Sequence, residues 1–367
     1  MIFEYDCLVM NPPPARHSTI NHDVLRTFGE RVLAAVGVSA DAAALVIDSL
    51  VEADLRGVHS HGMQRLPWYT RRVLEGGTNA DPDVRVVEDA PAVAVLDGDG
   101  GLGQVVSDRA MTLAIEKAKL YGIGSVAVRN SHHFGACAYW VQMALSHQMI
   151  GIATTNGGPI MAPWGGVTKT TGNDPIGVAI PAGDERPIVL DMATTIVAGG
   201  KLDMLAHEGK KIPFGWALDR DGRPTDDPAA GRAGLLLPIG EHKGYGLTVV
   251  FEILSAVLGG ANVGRDVPPP GDVSTGMNVG HYFQAINVAH FMPVERFEAR
   301  VDEFIRQLKS SELAPGVDRI LLPGEIEFQT AARYRDNGVP IAMSVIDDLH
   351  QIARRVGVSD RLTSSHS

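Results

Sequence analysis

Ser60, His61 and Arg65 lie within one short stretch, Arg56-Gly57-Val58-His59-Ser60-His61-Gly62-Met63-Gln64-Arg65-Leu66-Pro67. Imidazole titrates near neutrality, so His61 can pass a proton in either direction. Ser60 can hydrogen-bond that ring or a substrate. Arg65, four residues on, would share a face with His61 if a helix starts early. A guanidinium fork clamps a carboxylate. Proton donor plus carboxylate clamp is the equipment of an enzyme acting on a small acid. The competing use of the same residues is a turn whose histidines satisfy helix ends.

Other stretches carry candidate chemistry. Asn130-Ser131-His132-His133-Phe134-Gly135 sets two histidines between a strand and a glycine-started helix, where backbone N–H groups could receive a phosphate or carboxylate. Neighbouring residues diverge on a helix, so at most one of His132 and His133 faces a given site. Gly172-Asn173-Asp174-Pro175 is a close backbone turn suited to a flat ligand. Asp191 ends an apolar strand, where it could orient a histidine, bind a ribose or cap a helix over 194–204. Lys243, in Glu241-His242-Lys243-Gly244, opens a helix and could reach a phosphate or an oxyanion; solvation is the commoner fate of a lysine.

Gly98, Gly100 and Gly103 have the spacing of a dinucleotide-binding fingerprint between a strand and a helix. Against that use, no acidic residue follows the second strand, which ends in Arg129-Asn130. Asp97 and Asp99 also put negative charge where a pyrophosphate would sit. The competing reading is a tight strand-to-helix turn. The histidine pairs permit a metal reading as well. His59, His61, His132, His133 and Glu241-His242 could supply zinc ligands to a metal-dependent hydrolase.

The elements that must hold these residues follow from periodicity. Residues 19–36 read as a helix with Val24, Leu25, Phe28, Val32 and Val36 on one face. A second spans 39–55, capped by Ser39 and ended by Gly57, and a third spans 64–75 with Pro67 in its first turn. No strand signal precedes Val84. Short strands at 84–87, 92–96, 125–128, 150–155, 188–190 and 281–288 then alternate with helices at 104–120, 135–147, 194–204 and 243–258. An amphipathic helix over 294–308 turns Phe297, Val301, Phe304, Ile305 and Leu308 inward, and the tail from Ile326 is again helical. The fold class is therefore α/β, with a mixed α/β domain at 81–309 inserted into a helical domain made from 1–80 and 310–367. A substrate site is expected at the seam.

Composition narrows the function. There are 32 basic and 43 acidic side chains, a formal charge of −11, which argues against a nucleic-acid or anionic-membrane surface. The longest apolar run, within 247–258, is interrupted by Glu252 and Ser255 and is too short to span a bilayer. Cys7 and Cys137 form no disulfide framework, which fits a reducing cytoplasm. Residues 1–14 show no signal-peptide pattern and carry three prolines, as in a loose arm.

Four motifs in order, Arg56–Gly62, Asn130–Gly135, Leu190-Asp191-Met192-Ala193-Thr194-Thr195 and His242-Lys243-Gly244-Tyr245-Gly246-Leu247, resemble the malate/L-lactate dehydrogenase family over about 20–356. That family also contains ureidoglycolate and sulfolactate dehydrogenases, diketogulonate reductase and reductases of cyclic imino acids. The resemblance implies a non-Rossmann nicotinamide domain, NAD or NADP as cofactor, a small carboxylate substrate and a homodimer. It implies that His61 is the proton donor, Ser60 its neighbour and Arg65 the carboxylate contact. His133 matches a histidine given to cofactor contact in some members and to proton transfer in others. Cofactor contacts are implied for Val189, Leu190, Asp191, Met192, Ala193, Thr194, His242, Lys243, Gly324, Glu325 and Ile326, and for Asn173. At 172–175 the family reads Gly-Thr-Asn-Pro; here Asn173-Asp174 adds negative charge. The expected activity is hydride transfer between a nicotinamide and C2 of a 2-hydroxy or 2-oxo acid. A cyclic imine such as a piperideine- or pyrroline-2-carboxylate, or ureidoglycolate, is the alternative substrate.

Overall fold

Asn21 and Ser39 accept hydrogen bonds from the backbone N–H groups of Asp23 and Ala42, and so start the first two helices. In the computed structural model, which describes residues 16–207, 209–360 and 362, the chain opens β1 (His17–Ile20), α1 (His22–Ala34), α2 (Ala40–Leu55) and α3 (Leu66–Leu74). Then follow β2 (Arg85–Asp89), β3 (Val93–Asp97), α4 (Gly103–Tyr121), β4 (Ile123–Ser131), α5 (Cys137–Gln142) and β5 (Met149–Thr155). The middle continues β6 (Ile176–Ile180), β7 (Ile188–Met192), α6 (Gly199–His207), β8 (Ala217–Leu218), α7 (Pro228–Ala233), β9 (Leu235–Leu236) and α8 (His242–Glu252). It closes β10 (Val279–Asn287), α9 (Val294–Lys309), α10 (Glu325–Asn337), β11 (Val339–Ala342) and α11 (Met343–Arg355). Cys7 and the proline-rich arm lie outside the described residues.

Seven strands form the main sheet in the order β2-β3-β4-β10-β5-β6-β7. Only β3 and β4 are parallel, joined by the α4 crossover; every other pair is antiparallel. The fold is thus a mixed α/β sheet and not a doubly wound parallel one. One hydrophobic core collects Leu25, Ile47, Leu50 and Leu66 from the first helices with Ile341 from β11 and Leu349 and Ile352 from α11. A second packs α4 and α5 on the sheet through Met111, Val126, Trp140 and Phe283. A small third one holds α6 and α7 against the β8–β9 hairpin through Leu202, Ile212 and Leu236.

Several expectations need correction. The helix expected over 19–36 is α1 alone, because residues 17–20 leave it to pair with β11, Ile20 opposite Val339. A strand therefore does precede Val84. Val24 and Phe304, expected to face inward, are exposed, and so is Leu308; on α9 only Ile305 and Asp302 are fully buried. The third helix starts at Leu66, after two short 3-10 turns. The helix expected over 135–147 shrinks to α5 and a 3-10 turn. That over 194–204 begins only at Gly199. Here the backbone has other partners: the Ile196 N–H donates to Leu237 O, and Thr194 O accepts from the Ile239 N–H. The expected 243–258 helix passes from α8 into a π-helical turn at Ile253–Val257. No helix among the described residues is long and apolar enough to cross a membrane.

Candidate active site

The turn carrying Ser60 and His61 is shaped by Asp54. Gly57 takes φ of 77° and stops α2, as expected for a residue without Cβ. Asp54, the penultimate residue of α2, is 2% exposed. Its carboxylate accepts from the His59 ring Nδ1 and from the Met63 N–H, both at 2.7 Å. A Cβ on Gly62 would overlap that carboxylate. His59 also stacks on Tyr334. His59 is thereby a structural ring, and the chain is folded back so that Ser60, His61 and Arg65 emerge on the other side. Sequence reasoning missed Asp54, although its spacing from Val46 and Leu50 puts a carboxylate on the buried face of α2, where a partner is required.

His61 is half-buried, with Nδ1 2.9 Å from Ser60 Oγ. Nε2 has no partner among the described residues. Burial first, and then the Arg65 guanidinium, lower its pKa from 6.5 to about 4. Arg65 donates from Nε to Ser60 O at 2.7 Å. Among the described residues its two terminal nitrogens have no hydrogen-bond or ion-pair partner, so the fork remains open. The His61 ring stacks on His133 at 5.5 Å between centroids. The Nδ1 of His133 lies 2.6 Å from the Tyr69 hydroxyl. Burial, then Arg65, then His61 hold His133 well below the usual histidine range. Tyr69 is pushed up by burial, so it remains a phenol and donates. Tyr69 was not singled out from sequence; its place four residues after Arg65, on the same helical face, was the available signal.

The second group of candidate residues lies along β7. The Asp191 Oδ2 accepts from the Ala138 N–H at 2.8 Å, in the first turn of α5, five residues after His133. Asp191 therefore caps α5 and not the helix after it. Its side chain is exposed to solvent, while the protein packed around it raises its carboxyl to about 6; the Ala138 N–H and Arg56 oppose that rise. Below Asp191, the Val189 N–H donates to Pro323 O, and Gly324 takes φ of 92°, where a Cβ would meet Val189 O. Glu325 is bound to Lys309 and to the Leu322 N–H, so its carboxylate is already engaged. Ile326 follows it in the first turn of α10. Above Asp191, beyond Met192 and Ala193, the Thr194 N–H and Oγ1 both donate to Asn173 O, and Thr248 Oγ1 donates to Thr194 Oγ1, all at 2.8 Å. That contact seats the strip on α8, which opens with no side-chain cap and with His242 and Lys243 exposed.

These residues fit a dinucleotide. An uncapped helix start with a lysine in its first turn suits a pyrophosphate, and a solvent-facing carboxylate suits a ribose. The Gly98-Gly100-Gly103 turn does not. Its N–H groups are engaged: Gly98 with Arg129 O, Gly100 with Asn130 O and Gly101 with Gly98 O. A Cβ on Gly103 would overlap the His132 and His133 carbonyls. These glycines let α4 pack on the His133 segment, while Arg129 is bound to Asp97. The metal reading finds no support either, since among the described residues no three His, Cys, Asp or Glu side chains gather as ligands. His59 is turned to Asp54 and His133 to Tyr69.

Comparison with known proteins agrees with this geometry. The sequence model described as malate/L-lactate dehydrogenase matches residues 20–350. A malate dehydrogenase of Pyrococcus abyssi is 44% identical over 347 residues, covering 92% of this chain and 95% of that protein. The solved structure of sulfolactate dehydrogenase from Methanocaldococcus jannaschii superposes with a TM-score of 0.88 at 41% identity, over 93% of this chain and 98% of the other. That of a delta1-piperideine-2-carboxylate reductase from Pseudomonas syringae gives 0.82 at 29% identity, over 91% and 99%. The chain belongs to the malate/L-lactate dehydrogenase family and is an oxidoreductase acting on CH–OH groups.

Proposed function

We propose that this protein interconverts a small 2-hydroxy acid and its 2-oxo acid with NAD or NADP, using His61 as proton donor and Arg65 as carboxylate clamp. The observation that carries this reading is the pair of unengaged groups side by side: Nε2 of His61 and the terminal nitrogens of Arg65. A bound nicotinamide supplies or accepts the hydride at C2. Arg65 grips the substrate carboxylate and so presents one face of C2. His61 gives its Nε2 proton to the C2 oxygen during reduction, and takes it back during oxidation. Ser60 on Nδ1 fixes the ring orientation. A bound carboxylate offsets the charge of Arg65, which makes imidazolium easier to form in the complex than in the free protein.

Asn173, Val189–Thr194, His242, Lys243 and Gly324–Ile326 form the cofactor strip in this reading. We also infer two units, 1–80 with 310–367 and 81–309, and a site at their seam; the support is that His61, from the first range, stacks on His133, from the second. A cyclic imino acid is the second reading, favoured by the likeness to the piperideine carboxylate reductase, and needs the same proton and hydride. We also propose a homodimer in a reducing cytoplasm. Its support is the apolar stripe that α8 and its π-turn leave exposed, Leu247, Val250, Ile253 and Val257. The free thiol of Cys137 is buried. The deciding experiment follows NADH and NADPH absorbance against a panel of 2-oxo acids and cyclic imino acids. No turnover with any of them, with cofactor bound, would overturn the reading.

A further inference from the structure

Two carboxyl groups that play no part in the proposed chemistry are sealed beneath it. Asp174 is 0% exposed and Glu252 5%. Neither oxygen of Asp174 has a donor in hydrogen-bond geometry, and neither has Oε2 of Glu252. The other Glu252 oxygen accepts from Asn156 Nδ2 at 3.0 Å and from the Gly264 N–H at 2.9 Å. The unsatisfied oxygens lie on the two sides of one short segment: Asn156 donates to Glu252, and a Cβ on Gly172 would meet both the Gly157 backbone and Asp174 Oδ1; across it the two carboxyls act on each other.

Two ionised carboxylates are unfavourable in such a site: three of their four oxygens have no donor in hydrogen-bond geometry, and the two charges repel. A single proton removes both faults, since a carboxylic acid on one side donates to a carboxylate on the other. We propose that Asp174 and Glu252 share one proton, and that this acid–carboxylate bond is a positioning tie fastening the 172–175 turn to α8. Thr248 and Glu252 stand four residues apart on one face of α8. Thr248 holds Thr194, and Glu252 holds Asp174. The turn bearing Asn173 and the strip bearing Thr194 are thus fixed to the same helix whose first turn carries His242 and Lys243. On the opposite face α8 is apolar and exposed.

Burial, and then Glu252, hold the Asp174 carboxyl well above its ordinary range. Glu252 is the ionisable group acting on it among the described residues, and the Gly157 N–H and its own N–H ease it the other way. A native pKa above the unfolded value means that unfolding releases the proton. The tie therefore contributes fully below the ordinary carboxylate range, and its contribution falls as pH rises through the native value.

The test is Asp174→Asn, whose amide donates to Glu252 without needing a proton. Melting temperatures of this variant and the wild type are measured from pH 5 to pH 9, beside the infrared carbonyl band of a protonated buried carboxylic acid. The variant should gain on the wild type as pH rises, by roughly 3 °C or more across the range, and the acid band should vanish. Glu252→Gln, which can donate to Asp174 from its amide, should flatten the same pH dependence. Parallel melting curves for all three proteins, or no acid band in the wild type, would overturn the proposal. If Asp174→Asn fails to fold, Glu252→Gln and the wild-type band decide it. None of these readouts needs turnover, so the tie can fail while the proposed activity stands, and the reverse.

Discussion

The imidazoles of His61 and His133 stack with ring centroids 5.5 Å apart and planes 18° from parallel, beside the open fork of Arg65. One ring comes from a turn after α2 and the other from the segment after β4. Two unprotonated rings can stack this way; two imidazolium ions beside a guanidinium would repel. Burial and Arg65 set the charge state of the proposed donor, and the stack joins the turn after α2 to the segment after β4.

His61→Ala removes the proposed proton donor and leaves the β7 strip untouched. We expect the turnover number to fall about 100- to 10,000-fold, the usual worth of a positioned acid–base group. Cofactor affinity, read by nicotinamide fluorescence titration, should stay within about twofold. Ordinary turnover in this variant removes His61 from the mechanism.

Arg65→Lys keeps the charge but loses the two-pronged grip. The KM for the organic acid should rise about tenfold or more, in line with roughly 1.5–3 kcal/mol for a charged hydrogen bond. The cofactor Kd should hardly change. Equal losses on both would assign Arg65 to the fold, through its bond to Ser60 O.

The pH profile tests the neighbourhood of His61. Its pKa is lowered to about 4 by burial and by Arg65, so the ring in the free protein is neutral and ready as a base above that value. Oxidation measured as kcat/KM should stay flat from pH 7 to about 5 and decline toward pH 4. Because the native value lies below the unfolded one, the related stability is present above the ordinary histidine range and is lost as pH falls. Arg65→Gln should move the decline upward. An unmoved inflection would show that Arg65 does not act on the ring.

Tyr69→Phe deletes the 2.6 Å bond to His133 with almost no change in packing. The ring loses its anchor, and the stack on His61 loosens. A drop of about fivefold in kcat, worth roughly 1 kcal/mol, is expected with little change in melting temperature. A large melting loss with unchanged kcat would make Tyr69 purely structural.

Asp54→Ala strands the His59 ring and the Met63 N–H that its carboxylate now satisfies. The cost should be about 3–5 kcal/mol, from two lost hydrogen bonds to a charged group at roughly 1.5–3 kcal/mol each. Denaturant unfolding measures it, and turnover should fall too, because the turn carries His61. An intact melting curve would contradict the anchoring role.

Local patterns in the chain announced the parts that local patterns govern. Ser39 and Gly57 mark both ends of α2, and the apolar spacing of Val46 and Leu50 gives its buried face. The residues of the donor turn were legible because their types sit within one stretch. What stayed hidden depends on distant partners. The 17–20 strand looks like the start of a helix until Val339 and Ile341 are laid against it. The 194–198 segment has helical composition, yet its Ile196 N–H and Thr194 C=O are taken by Leu237 and Ile239, and its Thr194 N–H by Asn173. Phe304 follows the helical period but faces outward, since α9 buries Asp302 instead, whose carboxylate receives the Gly183, Asp184 and Glu185 N–H groups. Tyr69 and Asp54 were overlooked because each acts on a histidine from an adjoining helix and belongs to no recognisable motif.

The pairing of β1 with β11 has a consequence for the order of assembly. The core beneath the donor turn needs side chains from both 20–69 and 331–362, so α1 to α3 cannot finish packing before residues 331–362 have been made. Contacts that distant in sequence close slowly. The central sheet can be complete while Ser60, His61 and Arg65 still lack their foundation, and a nascent chain stays chemically silent until α10, β11 and α11 are released.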